Sequence, residues 1–185
     1  TLVIEAYRTV GVRVRLAPMM ADTTFYRAIP GLLDALPEPH RSQAAKMAAA
    51  DAEAHLSACR DLLSGWTHDA DWARPALGPT IPLHCSDAFL RGCRDLARDH
   101  GAGIQMHLAE SKVQAVAGPA VYGKSLTAHL ADLGLLGPSF VAAHGVWFDD
   151  DDMAILSDRG AAVAHNPGSN MRLGSGVARA VAMRE

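Results

Sequence analysis

Five short apolar runs, each followed by a stretch of helical character, set the tightest limit on what this chain can fold into. They are Gly11 to Pro18, Arg74 to Thr80, Gly103 to Leu108, Ser139 to His144 and Ala161 to His165. Near-continuous apolar strands alternating with helices are the pattern of a parallel sheet covered by helical crossovers. Polar residues break the run at Gln105 and His107. Period-two alternation puts these two on one face of their strand and Ile104, Met106 and Leu108 on the other. A buried polar pair of this kind needs partners, because unpaired polar groups are costly to bury.

The helical segments follow from caps and stripes. Ser42 can cap a helix running to about Ser64, with Gly65 beyond it; Ala52, Leu56, Cys59 and Leu63 form its apolar stripe, while Asp51, Arg60 and Asp61 face water. Ser86 can cap a helix ending near His100 and Gly101. Further helices are expected over Tyr122 to Leu133 and Asp149 to Arg159. Thr1 to Val10 reads as the end of a helix and Gly176 to Glu185 as the start of one. Asp22 to His40, broken by Pro30, Pro37 and Pro39, reads as a long loop with a helical turn at Leu32, Leu33 and Leu36. Residues 1–185 are expected to form a single incomplete domain with no internal boundary. Without an initiating methionine, they read as an internal piece of a longer protein.

A formal net charge of −3 and the absence of a basic, aromatic-interleaved run argue against nucleic acid as a partner. Apolar stretches are too short to span a membrane. The three cysteines, Cys59, Cys85 and Cys93, make no C-x-x-C pair and read as reduced thiols of a cytoplasmic protein. A small molecule is the expected partner, and a homo-oligomer is left open.

Three successive runs end in a histidine: His107, His144 and His165. In a parallel α/β fold these positions share the C-terminal rim, where active sites are built. Glu110 follows His107 in the adjoining loop. One such histidine is more often a satisfied rim residue, but three at equivalent positions with Glu110 beside the first favour a functional site.

The stretches His107-Leu108-Ala109-Glu110, His144-Gly145-Val146-Trp147 and His165-Asn166-Pro167-Gly168-Ser169-Asn170 together resemble the amidohydrolase superfamily. Within it they are similar to the branch of cytosine, guanine and adenosylhomocysteine deaminases and triazine chlorohydrolases. The resemblance implies a partial (β/α)8 TIM barrel, corresponding to strands three through seven, and one divalent metal, zinc or iron. It implies His107 as a metal ligand, Glu110 as proton shuttle, and His144 as the imidazole that orients the attacking water. Gln105, His165, Asn166 and Asn170 are the implied substrate-side residues. The family's strand-one His-x-His pair and strand-eight aspartate have no counterpart here, so the remaining ligands are expected outside this segment. The implied reaction is hydrolysis of a C–N bond in a small heterocycle, most simply deamination. Hydrolytic dechlorination or amide-ring opening on the same site is an alternative, and a non-catalytic α/β binding module another.

Other features have plainer readings. Asp149 to Asp152 suits a helix start, where the macrodipole favours acidic residues. Gly168, Gly174 and Gly176 match no phosphate-loop pattern. His55, His68, His100 and His129 are expected in solvent. Met19 and Met20 read as packing residues. Adjacent His84 and Cys85 cannot readily direct their side chains at each other, although His84 can line the pocket from its loop.

Overall fold

The computed structural model describes residues 2–184. It contains a parallel sheet with strands β1 (Val14–Leu16), β2 (Met19–Met20), β3 (Ala73–Pro79), β4 (Gly103–Leu108), β5 (Phe140–His144) and β6 (Ala162–Ala164). β1 and β2 both pair with β3, so they occupy one strand position interrupted at Ala17 and Pro18. The sheet is thus an arc of five positions in chain order, every neighbour parallel. Each expected run supplies one of them.

The helices are α1 (Leu2–Val10), α2 (Phe25–Ala28), α3 (Leu32–Ala35), α4 (His40–Ala45), α5 (Ala52–Ser64), α6 (Asp87–Asp99), α7 (Lys112–Tyr122), α8 (Leu126–Asp132), α9 (Asp150–Asp158) and α10 (Pro167–Arg172). Short 3₁₀ turns cover Pro82–His84 and Ala182–Arg184. The core lies between the outer sheet face and the helices. Leu77 of β3, Met106 and Leu108 of β4 and Ala142 of β5 pack with Phe89, Leu90 and Cys93 of α6 and Leu130 of α8. Ile104, Met106 and Leu108 are buried while Gln105 and His107 are half-buried, as the alternation requires.

Several local expectations are corrected. The helix expected to be capped by Ser42 starts earlier, at His40 after Pro39, so Ser42 lies inside α4; it breaks at Lys46 and restarts at Ala52. Asp51 faces water as expected, but as the N-cap of α5 rather than inside a helix, accepting from the Ala54 N–H at 2.9 Å. The helix expected from Tyr122 is α8, which starts only at Leu126, after a Ser125 cap. Tyr122 instead ends α7, an unexpected helix that contains Pro119. The tail expected to begin a helix at Gly176 forms only the last 3₁₀ turn, and Thr1 and Glu185 fall outside the described residues. Ser86 does cap α6, and Asp149 caps α9 through the Asp152 N–H at 2.8 Å, the macrodipole reading of that acidic run.

His129 is the other correction. It is buried, its Nε2 lies 2.8 Å from Asp87 Oδ1, and its ring stacks on Tyr122 at 3.8 Å. This tie joins the start of α6 to α8. Met20 is buried in the core, but Met19 is exposed and packs little. No helix among the described residues is long and apolar enough to cross a membrane.

Candidate active site

The C-terminal rim of the arc collects the polar groups. β4 delivers His107, whose backbone N–H donates to the Thr80 carbonyl at 2.9 Å. The ring Nδ1 lies 2.8 Å from the same oxygen. A carbonyl can only accept, so Nδ1 carries the proton and Nε2 keeps its lone pair. Thr80 therefore fixes both the orientation and the tautomer of His107 through its backbone alone.

Beyond β4 the chain turns sharply. Ala109 has φ +50°, and the Glu110 N–H donates to Gln114 Oε1 at 3.4 Å. Gln114 is itself buried in the first turn of α7, which Ser111 caps. The Glu110 side chain, 18% exposed, faces back across the rim toward His144, with Oε1 3.7 Å from Nε2.

His144 reaches this position by an uncommon route. Its register partner is Leu108, which is buried with the core on the helix-facing side. Cross-strand partners share a face, so regular alternation would send His144 the same way. Instead its φ is +81°, a left-handed conformation that costs about 1–3 kcal/mol in a non-glycine residue. The turned ring stacks on His107, with centroids 5.5 Å apart and planes 21° from parallel. Its Nδ1 is 2.8 Å from Asn170 Oδ1. Gly145 follows at φ +60°, where a Cβ would lie 2.5 Å from the Phe148 ring, so glycine is required there. The Trp147 N–H then donates to the Ala109 carbonyl at 2.9 Å and its indole N–H to the Ser175 carbonyl at 2.9 Å, tying the Glu110 loop and the Ser175 segment to the end of β5.

The sequence-derived candidates are not all brought together. Glu110, His107, His144 and Asn170 form a connected set. Gln105 lies on the His107 face of β4, half-buried beneath it. β6 ends at Ala164, so His165 is not its last residue as expected but lies just past it, exposed. Asn166 donates through Nδ2 to the Ala164 carbonyl at 3.1 Å. His84 sits after β3 in the turn Pro82–His84, edge-on to Phe25 at 5.8 Å. Burial, and then the neighbouring His107, pull its pKa down. Cys85 is no nucleophile: burial foremost, with the Asp22 charge, pushes its thiol up to about 12. Thr80 is a site residue that sequence reasoning missed, since its contribution is a backbone carbonyl, which leaves no side-chain signal.

His107 has the donor chemistry of a metal ligand, an anchored imidazole with a free Nε2. Among the described residues no group of three or more His, Cys, Asp or Glu is placed to hold a metal ion.

Comparison with known proteins gives the family and the fold. A 5'-deoxyadenosine deaminase of Methanosarcina mazei is 43% identical over 108 residues, covering 58% of this chain and 25% of that protein. A 5-methylthioadenosine/S-adenosylhomocysteine deaminase of Syntrophobacter fumaroxidans is 34% identical over 176 residues, covering 95% of this chain and 35% of the relative. The chain thus spans well under half of either. Two solved structures share the fold: an adenosine deaminase from Xanthomonas campestris with bound zinc (TM-score 0.77, 23% identity, 98% of this chain and 36% of that one), and an atrazine chlorohydrolase from Arthrobacter aurescens complexed with zinc (TM-score 0.80, 18% identity, 98% and 37%). The arc is therefore a partial (β/α)8 barrel. Residues 1–184 also match the amidohydrolase family as a whole, and the chain belongs to that family.

Proposed function

We propose that this chain carries the proton-handling part of a metal-dependent aminohydrolase site acting on a small heterocycle. The observation that carries the reading is the Glu110 carboxylate 3.7 Å from His144 Nε2, on the same rim as an anchored His107 with a free Nε2. The deaminases among the relatives, named for 5'-deoxyadenosine and S-adenosylhomocysteine, support an amino-substituted purine nucleoside as substrate.

In this reading His107 is one ligand of a zinc or iron ion, and the others lie outside residues 1–185, since catalytic zinc sites use about three protein ligands. When bound, such an ion acidifies water and makes a nucleophile available near neutral pH. Glu110 takes the proton of the attacking water and delivers it to the adjacent ring nitrogen. The C–O bond forms as the ring C=N opens. The carboxylate then carries the second water proton to the amine, the C–N bond breaks, and ammonia leaves a carbonyl on the ring. General acid–base help of this kind is worth about 10²–10⁴-fold. His144 holds the reacting oxygen against Glu110; Gln105, His165 and Asn166 border the substrate side, and the buried Asn170 backs His144. Residues 1–185 act as one incomplete barrel domain of a cytoplasmic enzyme, in keeping with three buried free thiols.

Ammonia release from 5'-deoxyadenosine and S-adenosylhomocysteine by the complete metal-loaded protein tests this directly. Release by the wild type and its loss in Glu110→Gln with metal retained are expected. No release from any amino-heterocycle would overturn it, and chloride release from a chlorotriazine without deamination would assign the site to dechlorination.

A further inference from the structure

Asn170 is completely buried, yet its Nδ2 has no hydrogen-bond partner among the described residues. Its Oδ1 lies 2.8 Å from His144 Nδ1. In that arrangement the neutral ring carries its proton at Nδ1, and the lone pair of Nε2 faces Glu110 Oε1 across 3.7 Å. Two acceptors then confront each other, and a buried NH₂ is left without an acceptor.

An amide's oxygen and nitrogen are nearly isosteric, so turning the Asn170 amide end for end keeps the 2.8 Å contact and exchanges donor for acceptor. Nδ2 then donates to the bare Nδ1 of His144, the ring proton moves to Nε2, and Nε2–H points at the Glu110 carboxylate. The amide atom left unpartnered becomes a carbonyl oxygen, which is less costly to strand in a protein interior than an N–H. Against that residual cost the NH₂ gains an acceptor, and the repulsive pair at the rim becomes donor against acceptor.

We propose that Asn170 is a positioning residue that donates to His144 Nδ1 and thereby holds His144 as the Nε2–H tautomer. Its effect on the reaction, which rests on the aminohydrolase reading above, is to make His144 a hydrogen-bond donor toward Glu110 and the reacting oxygen. His107 and His144, stacked on each other, are thus set to opposite tautomers: Thr80 accepts at Nδ1 of the first and leaves a lone pair at Nε2, while Asn170 donates at Nδ1 of the second and leaves a donor there. In the aminohydrolase reading this sets a lone pair for the metal beside a hydrogen-bond donor for the reacting oxygen. Asn170 thus supports the site from beneath His144, whereas the sequence resemblance places it at the substrate.

Imidazole ¹⁵N chemical shifts of the labelled wild-type protein, at a pH where His144 is neutral, read the tautomer without turnover. A bare Nδ1 and a scalar coupling from Asn170 Nδ2 across the N–H···N bond are expected. A protonated Nδ1 overturns the proposal. Asn170→Asp, whose carboxylate only accepts, is expected to move the proton onto Nδ1; if that variant folds and Nδ1 stays bare, Asn170 does not set the tautomer. Should the variant fail to fold, the wild-type coupling decides alone, and its absence refutes the bond. A protein that releases no ammonia yet shows the bare, coupled Nδ1 would sink the aminohydrolase reading and leave this inference standing.

Discussion

The centre and the flank of the arc start from the same sequence motif and end differently. β5 and β6 both derive from apolar runs closing in histidine, yet His144 is buried and bound while His165 is exposed. β5 is paired on both sides, by β4 and β6, whereas among the described residues β6 has only β5. Phe140 and Ala142 are almost wholly buried, but Ala162 is exposed and Val163 only half-buried. A strand held on both edges can support a strained residue such as His144, because surrounding packing over-determines the backbone. Among the described residues β6 is held on one edge only, and His165, just past its end, is exposed. The histidine-ended run is common to both strands; what sets His144 apart among the described residues is its left-handed backbone and its contacts with Asn170 and Glu110.

The largest test of this contrast is at the rim. Glu110→Gln in the complete protein is expected to lower kcat by about 10²–10⁴-fold with metal content unchanged; near-normal turnover with full metal would remove Glu110 from proton transfer. Next comes the scaffold. Phe140→Ala in β5 should cost about 3–5 kcal/mol in denaturant unfolding, whereas Val163→Ala in β6 should cost about 1 kcal/mol. Equal losses would mean that the flank is as tightly held as the centre. His165→Ala is expected to change stability by no more than about 0.5 kcal/mol, and a larger loss would show that the exposed imidazole has a partner in solution.

The sequence was most informative where function depends on position along a strand. The end of β4, the loop with Glu110 and the parallel order all follow from short apolar runs and their caps. It was blind where partners are distant in the chain. His129 reads as a surface residue until the fold brings Asp87 to it across 42 positions. Asn170 meets His144 across 26. The left-handed turn at His144 is equally invisible, because alternation alone sends that side chain to the wrong face. The break before α5 was readable after all: Asp51 stands before Ala52-Glu53, a good N-cap followed by an acidic first turn, but the long alanine-rich stretch before it favours an unbroken helix.

The smallest effect concerns the joint between centre and flank. α9 connects β5 to β6 and is fastened to α8 by Asp152, whose Oδ1 accepts from Ser125 Oγ at 2.5 Å. Asp152 is buried, and that burial foremost raises its pKa above the ordinary 3.8, against the opposing hydrogen bond from Ser125. A carboxyl whose folded pKa is raised favours folding most when protonated, so its contribution is present below pH 3.8 and is lost as pH rises through the raised value. Asp152→Asn keeps the acceptor for Ser125 and removes this titration. The stability of the wild type relative to the variant should therefore fall as pH is taken from below 3.8 to neutrality, read as the difference between their denaturant midpoints. A difference that stays flat would mean the carboxylate is well solvated, and that the joint between β5 and β6 is open to water as the flank is.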